Sequence, residues 1–488
     1  MEEERFSTLQ RNESGYAPDR LSFYVTVEVR AEAETNKDGC DFEVTGPDRE
    51  GDLPKTSRYR LENRDHPGYL DFFTHLTRDY GLRLPQNRQP FAESHFSAPF
   101  KEVLCENLSP DMIYGYGDPA VIRVEGEAPG DETNYYLLAT SNDAPDSFPI
   151  LRSRNLVDWE FVNFVFPRGH KPGWAADGAM TSDYWAPEMH QVGQEFRVYF
   201  VARDQHTREL CIGLAKSVSP EGPFLAHPEP LLKGNVIDPH IYQEENGLTY
   251  LYWKEDNNDL WPSRLNALLY HNPGLIPLLF HGAEDQATAA FTSSLWPWAR
   301  TLEPMERFFV QQLLIEAVIA GFSNFQEGLI AIMEYQQQPI QEQIRAVLEV
   351  MRTPVYAQQL SEDGTELVGE RKKVIENDQP WEAHLVEGMW VTRQGEKYYL
   401  FYAGNDFSTD QYGIGLAVAD SPLGPYRKKT QPFLKSTAEW WAPGHPSVVT
   451  GPEGTPLLFL HAYYPKQAGY KQFRALLSIP LTSLEDEI

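Results

Sequence analysis

Two widely separated segments of this chain read as copies of each other. The segments CIGLAKSVSPEGPF at 211–224 and YGIGLAVADSPLGPY at 412–426 share their I-G-L-A, S-P and G-P-aromatic positions. Short apolar and aromatic runs with turn signals between them recur at 134–140, 196–202, 248–254, 397–404 and 456–464. A repeated sheet unit is the signature of a β-propeller, whose inner strands begin at one mouth of a central channel. The sequence therefore predicts a mainly β fold with a ligand site at that mouth.

One long segment interrupts the repeat. Residues 260–352 carry apolar side chains at helical spacing, among them Ile344 and Val347. The runs on either side, LYWKEDNND and TPVYAQQL, would join as consecutive strands of one blade. We therefore predict a propeller formed by 109–259 and 353–488, with an α-helical insertion between the two parts.

The first 108 residues have a mixed texture and carry no chemical motif. Leu21 to Val29, LSFYVTVEV, predicts a strand by its β-branched and aromatic content. Tyr69 to Tyr80, YLDFFTHLTRDY, predicts an amphipathic helix. These residues are expected to form an N-terminal α+β extension.

The charge balance restricts the partners of this chain. Lys and Arg number 42 against 71 Asp and Glu, a net charge of −29. A field of that sign repels phosphate backbones and anionic head groups, so nucleic acid and membrane surfaces are not expected partners. Three cysteines exclude a disulfide framework, and the N-terminus lacks the features of a signal peptide. We expect a cytoplasmic protein, or a secreted one if a signal has been removed.

Three acidic residues lie where strands are predicted to begin. Asp118 lies in YGYGDPAVIRV, Asp238 in GNVIDPHIYQ and Glu387 in HLVEGMWV. A single Asp-Pro pair is often only a turn or a cap, but recurrence at matching points of a repeat aims the side chains at one mouth. The proline is expected to hold the preceding Asp extended. Three carboxyl groups around one pocket suit glycosidic bond cleavage, in which one activates water, one protonates the leaving oxygen and one tunes charge.

At these residues the chain resembles glycoside hydrolase family 43, five-bladed β-propeller enzymes that act mainly on arabinose- and xylose-containing polysaccharides. The similar pieces occur in family order: GDPAVIR, YWAPEMH, IDPHIY, VEGMWV and APGHPSVV. The resemblance implies that Asp118 is the general base, Glu387 the general acid and Asp238 the residue that modulates the pKa of the acid. It also implies inversion at the anomeric carbon and no required cofactor.

Further residues of these motifs are candidates for binding. His445, in APGHPSVV, resembles a family histidine of the central channel that often lies near calcium or water. Because calcium prefers oxygen ligands, His445 would contact a metal only indirectly, and a histidine hydrogen-bonded to water alone is the alternative. Trp185, His240 and His445 are predicted to contact substrate, although Trp185 could instead pack within a blade. Glu188 is predicted to be a structural hydrogen-bonding partner.

The predicted insertion would project from the active-site face, since the link between the second and third strands of a blade lies at the mouth. Its apolar stripes must pack on each other, on the N-terminal residues or on a second subunit of a homo-oligomer. Trp261, Trp296 and Trp298 are candidates to wall the pocket and favour exo action. A clamp or dimer surface away from substrate is the alternative.

The resemblance favours an inverting, exo-acting glycoside hydrolase that removes terminal arabinofuranosyl or xylosyl residues from plant-type oligosaccharides or polysaccharides. Activity on galactan or galactofuranose is an alternative with the same fold. A catalytically silent carbohydrate-binding propeller is an alternative of another class. The presence of all three acids favours the enzyme.

Overall fold

The computed structural model describes residues 99–126, 132–178, 182–300, 302 and 304–481, together with four strands nearer the N-terminus. It divides into two compact units, one of Met1–Gln89 with Asn257–Met351 and one of Pro90–Asp256 with Arg352–Ile488. The four N-terminal strands form an antiparallel sheet in chain order: Glu4–Phe6, Thr26–Arg30, Cys40–Pro47 and Pro54–Leu61. The predicted strand at 21–29 overlaps the second of these, whereas the predicted helix at 69–80 lies outside the described residues.

The second unit is built from five antiparallel sheets of four strands each. We number them as blades in chain order. The strands of the first blade are Ala120–Val124, Asn134–Leu138, Ser147–Ser153 and Trp159–Phe166. The second blade has Trp185–Val192, Glu195–Arg203, Leu210–Ser217 and Leu225–Ala226. The third has Val236–Gln243, Thr249–Glu255, Val355–Leu360 and Leu367–Ile375.

The fourth blade has Val386–Gln394, Lys397–Gly404, Gly413–Ala419 and Arg427–Lys428. The fifth has Trp441–Thr450, Pro456–Tyr463, Ala475–Pro480 and, as its outer strand, Lys101–Leu104. A short 3₁₀ helix, Pro380–Glu382, precedes the fourth blade.

The inner strands close into a ring. Each inner strand contacts that of the next blade, and the fifth contacts the first. Lys101–Leu104 pairs with Ala475–Pro480 near the other end of the chain, so the two ends of the propeller sequence share one sheet. The five-bladed prediction is confirmed, but the propeller begins before residue 109, because the strand at 101–104 belongs to its last blade.

The two copied segments occupy equivalent places. Each supplies the third strand of its blade, Leu210–Ser217 or Gly413–Ala419, and the link to a short fourth strand. The Gly-Pro bonds of both links, at Gly222 and Gly424, are cis. Buried aromatic and aliphatic side chains fill the spaces between blades. The sequence repeat therefore corresponds to a structural repeat.

The third blade confirms the strand order predicted across the interruption. Thr249–Glu255 pairs with Val355–Leu360, although about a hundred residues of chain separate them. Glu255 is the partner of Val236, so the chain leaves this blade at the end where Asp238 lies. A position of the helices over the mouth stays a prediction.

The interrupting segment is helical, as predicted. Its α-helices are Leu260–His271, Ile276–Leu279, Ala283–Ser294, Trp296–Ala299, Pro304–Ile319, Phe322–Met333 and Gln338–Val350, with a 3₁₀ turn at Pro273–Leu275. The apolar stripe of the last helix, with Ile344 and Val347, is buried, and that helix packs against the first. Trp261 is fully buried, which corrects its assignment to a pocket wall. Trp296 is partly buried, and the Trp298 side chain lies outside the described part.

We also tested the described helices for membrane-spanning potential. None of them is long and apolar enough to cross a bilayer alone. One pair, Val310–Ile319 with Phe322–Met333, meets the length and composition limits only when the two are taken together, and it is bent by 91°.

Candidate active site

The predicted acids lie at irregular starts of inner strands. Asp118 and Asp238 have positive φ angles, 52° and 56°, and Gly388, which follows Glu387, has 57°. The pairing register shifts between Ile237 and His240, and likewise just after Glu387. Such bulges turn side chains away from the regular pleat. The expectation that proline would keep the preceding Asp extended is therefore wrong, and the left-handed conformation, which Asp tolerates better than most residues, aims these carboxylates.

Asp118 accepts hydrogen bonds on both carboxylate oxygens. Arg474 donates from Nη1 to Oδ1 at 2.8 Å and from Nη2 to Oδ2 at 3.3 Å. The Thr140 hydroxyl also donates to Oδ2. Burial alone would raise the pKa of Asp118. Several groups, of which the Arg474 guanidinium has the largest effect, together outweigh burial, and the pKa lies well below its usual range. Asp118 is therefore ionised at any working pH, as a general base must be.

Residues next to Asp118 leave room for Arg474 and hold the Asp118 backbone in place. A Cβ on Gly117 would lie 1.8 Å from Nη2 of Arg474, so only glycine leaves room for the guanidinium. The Asp118 backbone N–H donates to Nδ1 of His461 at 3.1 Å. Burial and the nearby Arg474 hold the pKa of His461 well below its usual range. The His461 ring is therefore neutral and orients the Asp118 backbone without adding charge.

Glu387 is held by two donors from different blades. The Tyr412 hydroxyl donates to Oε1 at 2.8 Å, and Lys254 Nζ lies 3.1 Å from Oε2. Lys254 comes from the second strand of the third blade and is fully buried, while Tyr412 precedes the third strand of the fourth. Each oxygen of the predicted acid therefore has its own partner.

Asp238 interacts electrostatically with both of the other acids. Its Oδ2 accepts the Gly388 backbone N–H at 2.8 Å. The pKa of Asp238 is raised to about 6. Burial is the main cause, Glu387 and Asp118 also raise the pKa, and His445 and Lys254 partly offset these increases. The structure thus brings the three predicted acids together in one buried cluster.

His445 lies against this cluster at the end of the channel. Its Nδ1 is 3.4 Å from Oδ1 of Asp118, and a Cβ on Gly388 would lie 2.9 Å from the same nitrogen. The described residues contain no group of three or more His, Cys, Asp or Glu that could hold a metal ion. Because Arg474 already occupies the carboxylate of Asp118, the residues around His445 do not fit calcium, which takes six to eight oxygen ligands.

His240 is not placed to contact substrate, which corrects that prediction. The ring is buried, its Nδ1 lies 2.9 Å from Oε1 of Glu188, and its Nε2 accepts the Val391 backbone N–H at 2.8 Å. Glu188 also accepts the Ile241 backbone N–H at 3.0 Å. Both ring nitrogens of His240 are occupied by the scaffold, so His240 and Glu188 tie three inner strands together. The structural reading of Glu188 agrees with these contacts.

Trp185 lies next to the site rather than within the acid cluster. Its ring is partly buried against Val201, Leu210 and Ile237, and its Nε1 donates to Oδ1 of Asn142 at 3.1 Å. The Trp185 ring is partly exposed beside Ile237, which precedes Asp238 in the chain. Stacking of this ring on a sugar stays a prediction.

Sequence reasoning missed the two cations of the site, Arg474 and Lys254. Arg474 follows a polar loop and carries no motif of its own. Lys254 carried a usable signal, because it is a charged residue within the apolar strand LTYLYWK. A charge in a buried strand requires a partner of opposite sign, which here is Glu387.

Comparison with known proteins agrees with this geometry. The sequence model described as "Glycosyl hydrolases family 43" matches residues 112–276 and 345–487, on either side of most of the helical insertion. The chain belongs to glycosyl hydrolase family 43. The gap between the matched ranges shows that most of the insertion is an addition to the family domain.

Individual curated relatives match over shorter lengths. The chain is 33% identical over 88 residues to "Xylosidase/arabinosidase 43A" of Humicola insolens, covering 18% of this chain and 25% of the relative. It is 24% identical over 232 residues to a "Xylosidase/arabinosidase" of Bacteroides ovatus, covering 48% of this chain and 51% of the relative. The chain thus spans about half or less of these curated relatives.

Among solved structures, one thermostable family-43 glycoside hydrolase is 25% identical, with a TM-score of 0.51. The match covers 75% of this chain and 90% of that structure. The five-bladed fold of the second unit is therefore that of the family.

Proposed function

We propose that this protein is an inverting, exo-acting glycoside hydrolase that removes terminal arabinofuranosyl or xylosyl residues. The observation that carries the proposal is the contrast between two carboxyl groups of one cluster. Asp118 is held ionised by Arg474, while burial and two neighbouring acids raise the pKa of Asp238. An ionised carboxylate that can act as base, in one cluster with Asp238 and with the acid candidate Glu387, is the arrangement that acid–base cleavage of a glycosidic bond requires.

Asp118 is assigned to the general base. Its ionised carboxylate takes a proton from a water molecule as the water oxygen bonds to the anomeric carbon. Arg474 and Thr140 fix the carboxylate and leave it no freedom to turn toward the sugar as a nucleophile. Inversion follows, because water attacks the face opposite the leaving group.

Glu387 is assigned to the general acid. It gives its proton to the glycosidic oxygen as the bond from that oxygen to the anomeric carbon breaks. The alcohol departs, and Glu387 remains in the site as a carboxylate. Tyr412 and Lys254 stabilise that negative charge by donating hydrogen bonds to the two carboxylate oxygens. Asp238, which accepts the Gly388 N–H beside Glu387, is assigned to orienting this part of the site and tuning its charge.

The sugar specificity rests on the relatives. Both curated relatives described above carry names that combine xylosidase and arabinosidase. Galactan- or galactofuranose-directed activity is the alternative within the enzyme class. A binding propeller is disfavoured, because a surface that only binds sugar has no use for a carboxylate paired with a buried guanidinium beside two further acids.

A panel of aryl glycosides tests the proposal. The wild-type protein is expected to release 4-nitrophenol from the α-L-arabinofuranoside or the β-D-xylopyranoside, and Asp118→Asn serves as the matched inactive control. Xylo- and arabino-oligosaccharides then separate exo from internal cleavage by the size of the first product. Binding of these oligosaccharides without turnover of any panel member would establish the binding propeller instead.

A further inference from the structure

We propose that Lys254 is a positioning residue for the general acid, and that it determines which oxygen of Glu387 carries the donated proton. This inference rests on the proposed function, since it takes Glu387 as the acid. The geometry that points to it is the division of the two carboxyl oxygens between Lys254 and Tyr412.

The two donors differ in what they can do. An ammonium group has three donors and no acceptor, whereas a phenol hydroxyl can donate or accept. Oε2 of Glu387, 3.1 Å from Lys254 Nζ, must therefore remain an acceptor. Oε1, 2.8 Å from the Tyr412 oxygen, can carry a proton if the hydroxyl of Tyr412 turns to accept. The proton that Glu387 donates is accordingly carried by Oε1.

The surroundings keep Lys254 charged. Its side chain is fully buried, which by itself would lower its pKa, but Glu387, Asp256 and Asp238 hold the pKa above the usual value. His384 also faces Lys254, and burial together with this ammonium lowers the pKa of His384 to about 3. Lys254 therefore remains an ammonium, and His384 remains neutral, across the working pH range.

Lys254 and Arg474 each neutralise a different acid of the site. Arg474 holds the base, Asp118, and Lys254 holds the acid, Glu387, and in each pair the two residues belong to different blades or to the segments that lead into them. Asp238 accepts a backbone N–H instead. Removal of the Lys254 charge should therefore act on proton delivery by Glu387 and leave the base untouched.

The experiment compares Lys254→Met and Lys254→Gln with Lys254→Arg, which keeps the charge. The pH dependence of kcat/KM is measured on an aryl glycoside and on an unactivated disaccharide. Both neutral variants should move the basic limb to higher pH by about one unit, because a charge that opposes protonation of Glu387 is gone. They should lose about 10²-fold on the disaccharide and far less on the aryl glycoside, whose leaving group needs little protonation. Lys254→Arg should keep the wild-type limb.

Folded neutral variants whose basic limb stays at the wild-type pH would overturn the proposal, since a merely structural lysine would lower activity without moving the limb. If the neutral variants do not fold, the ¹⁵Nζ resonance of Lys254 is titrated in the wild type and assigned by its loss in Lys254→Arg. It should show a step at the midpoint of the basic limb that disappears in Glu387→Gln. A resonance without that step would equally reject the role.

The same data separate this inference from the proposed function. A wild-type protein that hydrolyses no glycoside of the panel rejects the function. An active wild type that loses activity in Glu387→Gln, with an unmoved limb in the neutral Lys254 variants, rejects only the role of Lys254.

Discussion

Arg474 and Asp118 form a two-point ion pair inside the channel, with Nη1–Oδ1 at 2.8 Å and Nη2–Oδ2 at 3.3 Å. The two residues are 356 positions apart, so the pair joins the start of the first blade to the residue that precedes the third strand of the last. Gly117, beside Asp118, leaves the space that the guanidinium fills. An ion pair between the first and last blades therefore also favours the ionised form of the predicted base.

Replacement of Arg474 should reveal its electrostatic role. Arg474 has the largest effect among the groups that keep the pKa of Asp118 low, so Arg474→Met should raise that pKa and move the acidic limb of kcat/KM to higher pH by about one unit or more. Arg474→Lys, which keeps the charge but loses the fork geometry, should move the limb less. An acidic limb that is identical in all three proteins would show that Asp118 is not the group titrated there.

Glu387→Gln and Asp238→Asn should differ in their dependence on the leaving group. Glu387→Gln should lose about 10²–10⁴-fold on a natural disaccharide and much less on an activated aryl glycoside. Asp238→Asn should lose activity on both, because Asp238 tunes the site and donates no proton. Equal losses of Glu387→Gln on the two substrates would remove it from the acid role.

Asp238 should make the fold less stable as pH rises. Its pKa of about 6 lies above the value of 3.8 for an unperturbed Asp, so the folded state holds a proton that the unfolded state has lost between these values. Stability is therefore fully present below about pH 4 and declines as pH rises through 6. Asp238→Asn should raise the free energy of unfolding at pH 8 by about 1–3 kcal/mol, and should change it little at pH 3.5. Urea titrations at the two pH values measure this, and a variant that is less stable at pH 8 would contradict it.

Metal removal should leave activity unchanged. The carboxylate nearest His445 is occupied by Arg474, and no group of His, Cys, Asp or Glu in the described ranges could hold a metal ion. Dialysis against EDTA followed by assay, with and without added calcium, checks this. A loss that calcium restores would place an oxygen-ligand site in the channel.

The sequence predicts the blades and the three acids because both are local signals. Turn-bounded aromatic runs mark strands, and Asp118, Asp238 and Glu387 each lie in a short motif at a strand start. The pairing of Lys101–Leu104 with the last blade could not be predicted, since a four-residue strand carries little pattern and its partner lies at the other end of the chain.

Lys254 and His240 show a second limit of prediction from sequence, namely which side chains the fold brings into the site. Lys254 and Glu387 are 133 residues apart, and only the closed ring brings them together. The sequence predicts that His240 contacts substrate, because it is two residues from Asp238. The bulge at that point turns it into the protein, where Glu188 and Val391 occupy its nitrogens. Sequence shows which residues lie near a site but not which way a bulge directs them.

The anomeric configuration of the first-formed sugar tests the central claim most directly. With Asp118 as base and Glu387 as acid, a water molecule lies between Asp118 and the sugar, and the two carboxyl groups should be about 6.5–9.5 Å apart. Proton NMR spectra recorded in the first minutes of hydrolysis should show the product with inverted configuration, before mutarotation mixes the anomers. A first product that keeps the configuration of the substrate would contradict the account, because it would require a carboxylate nucleophile.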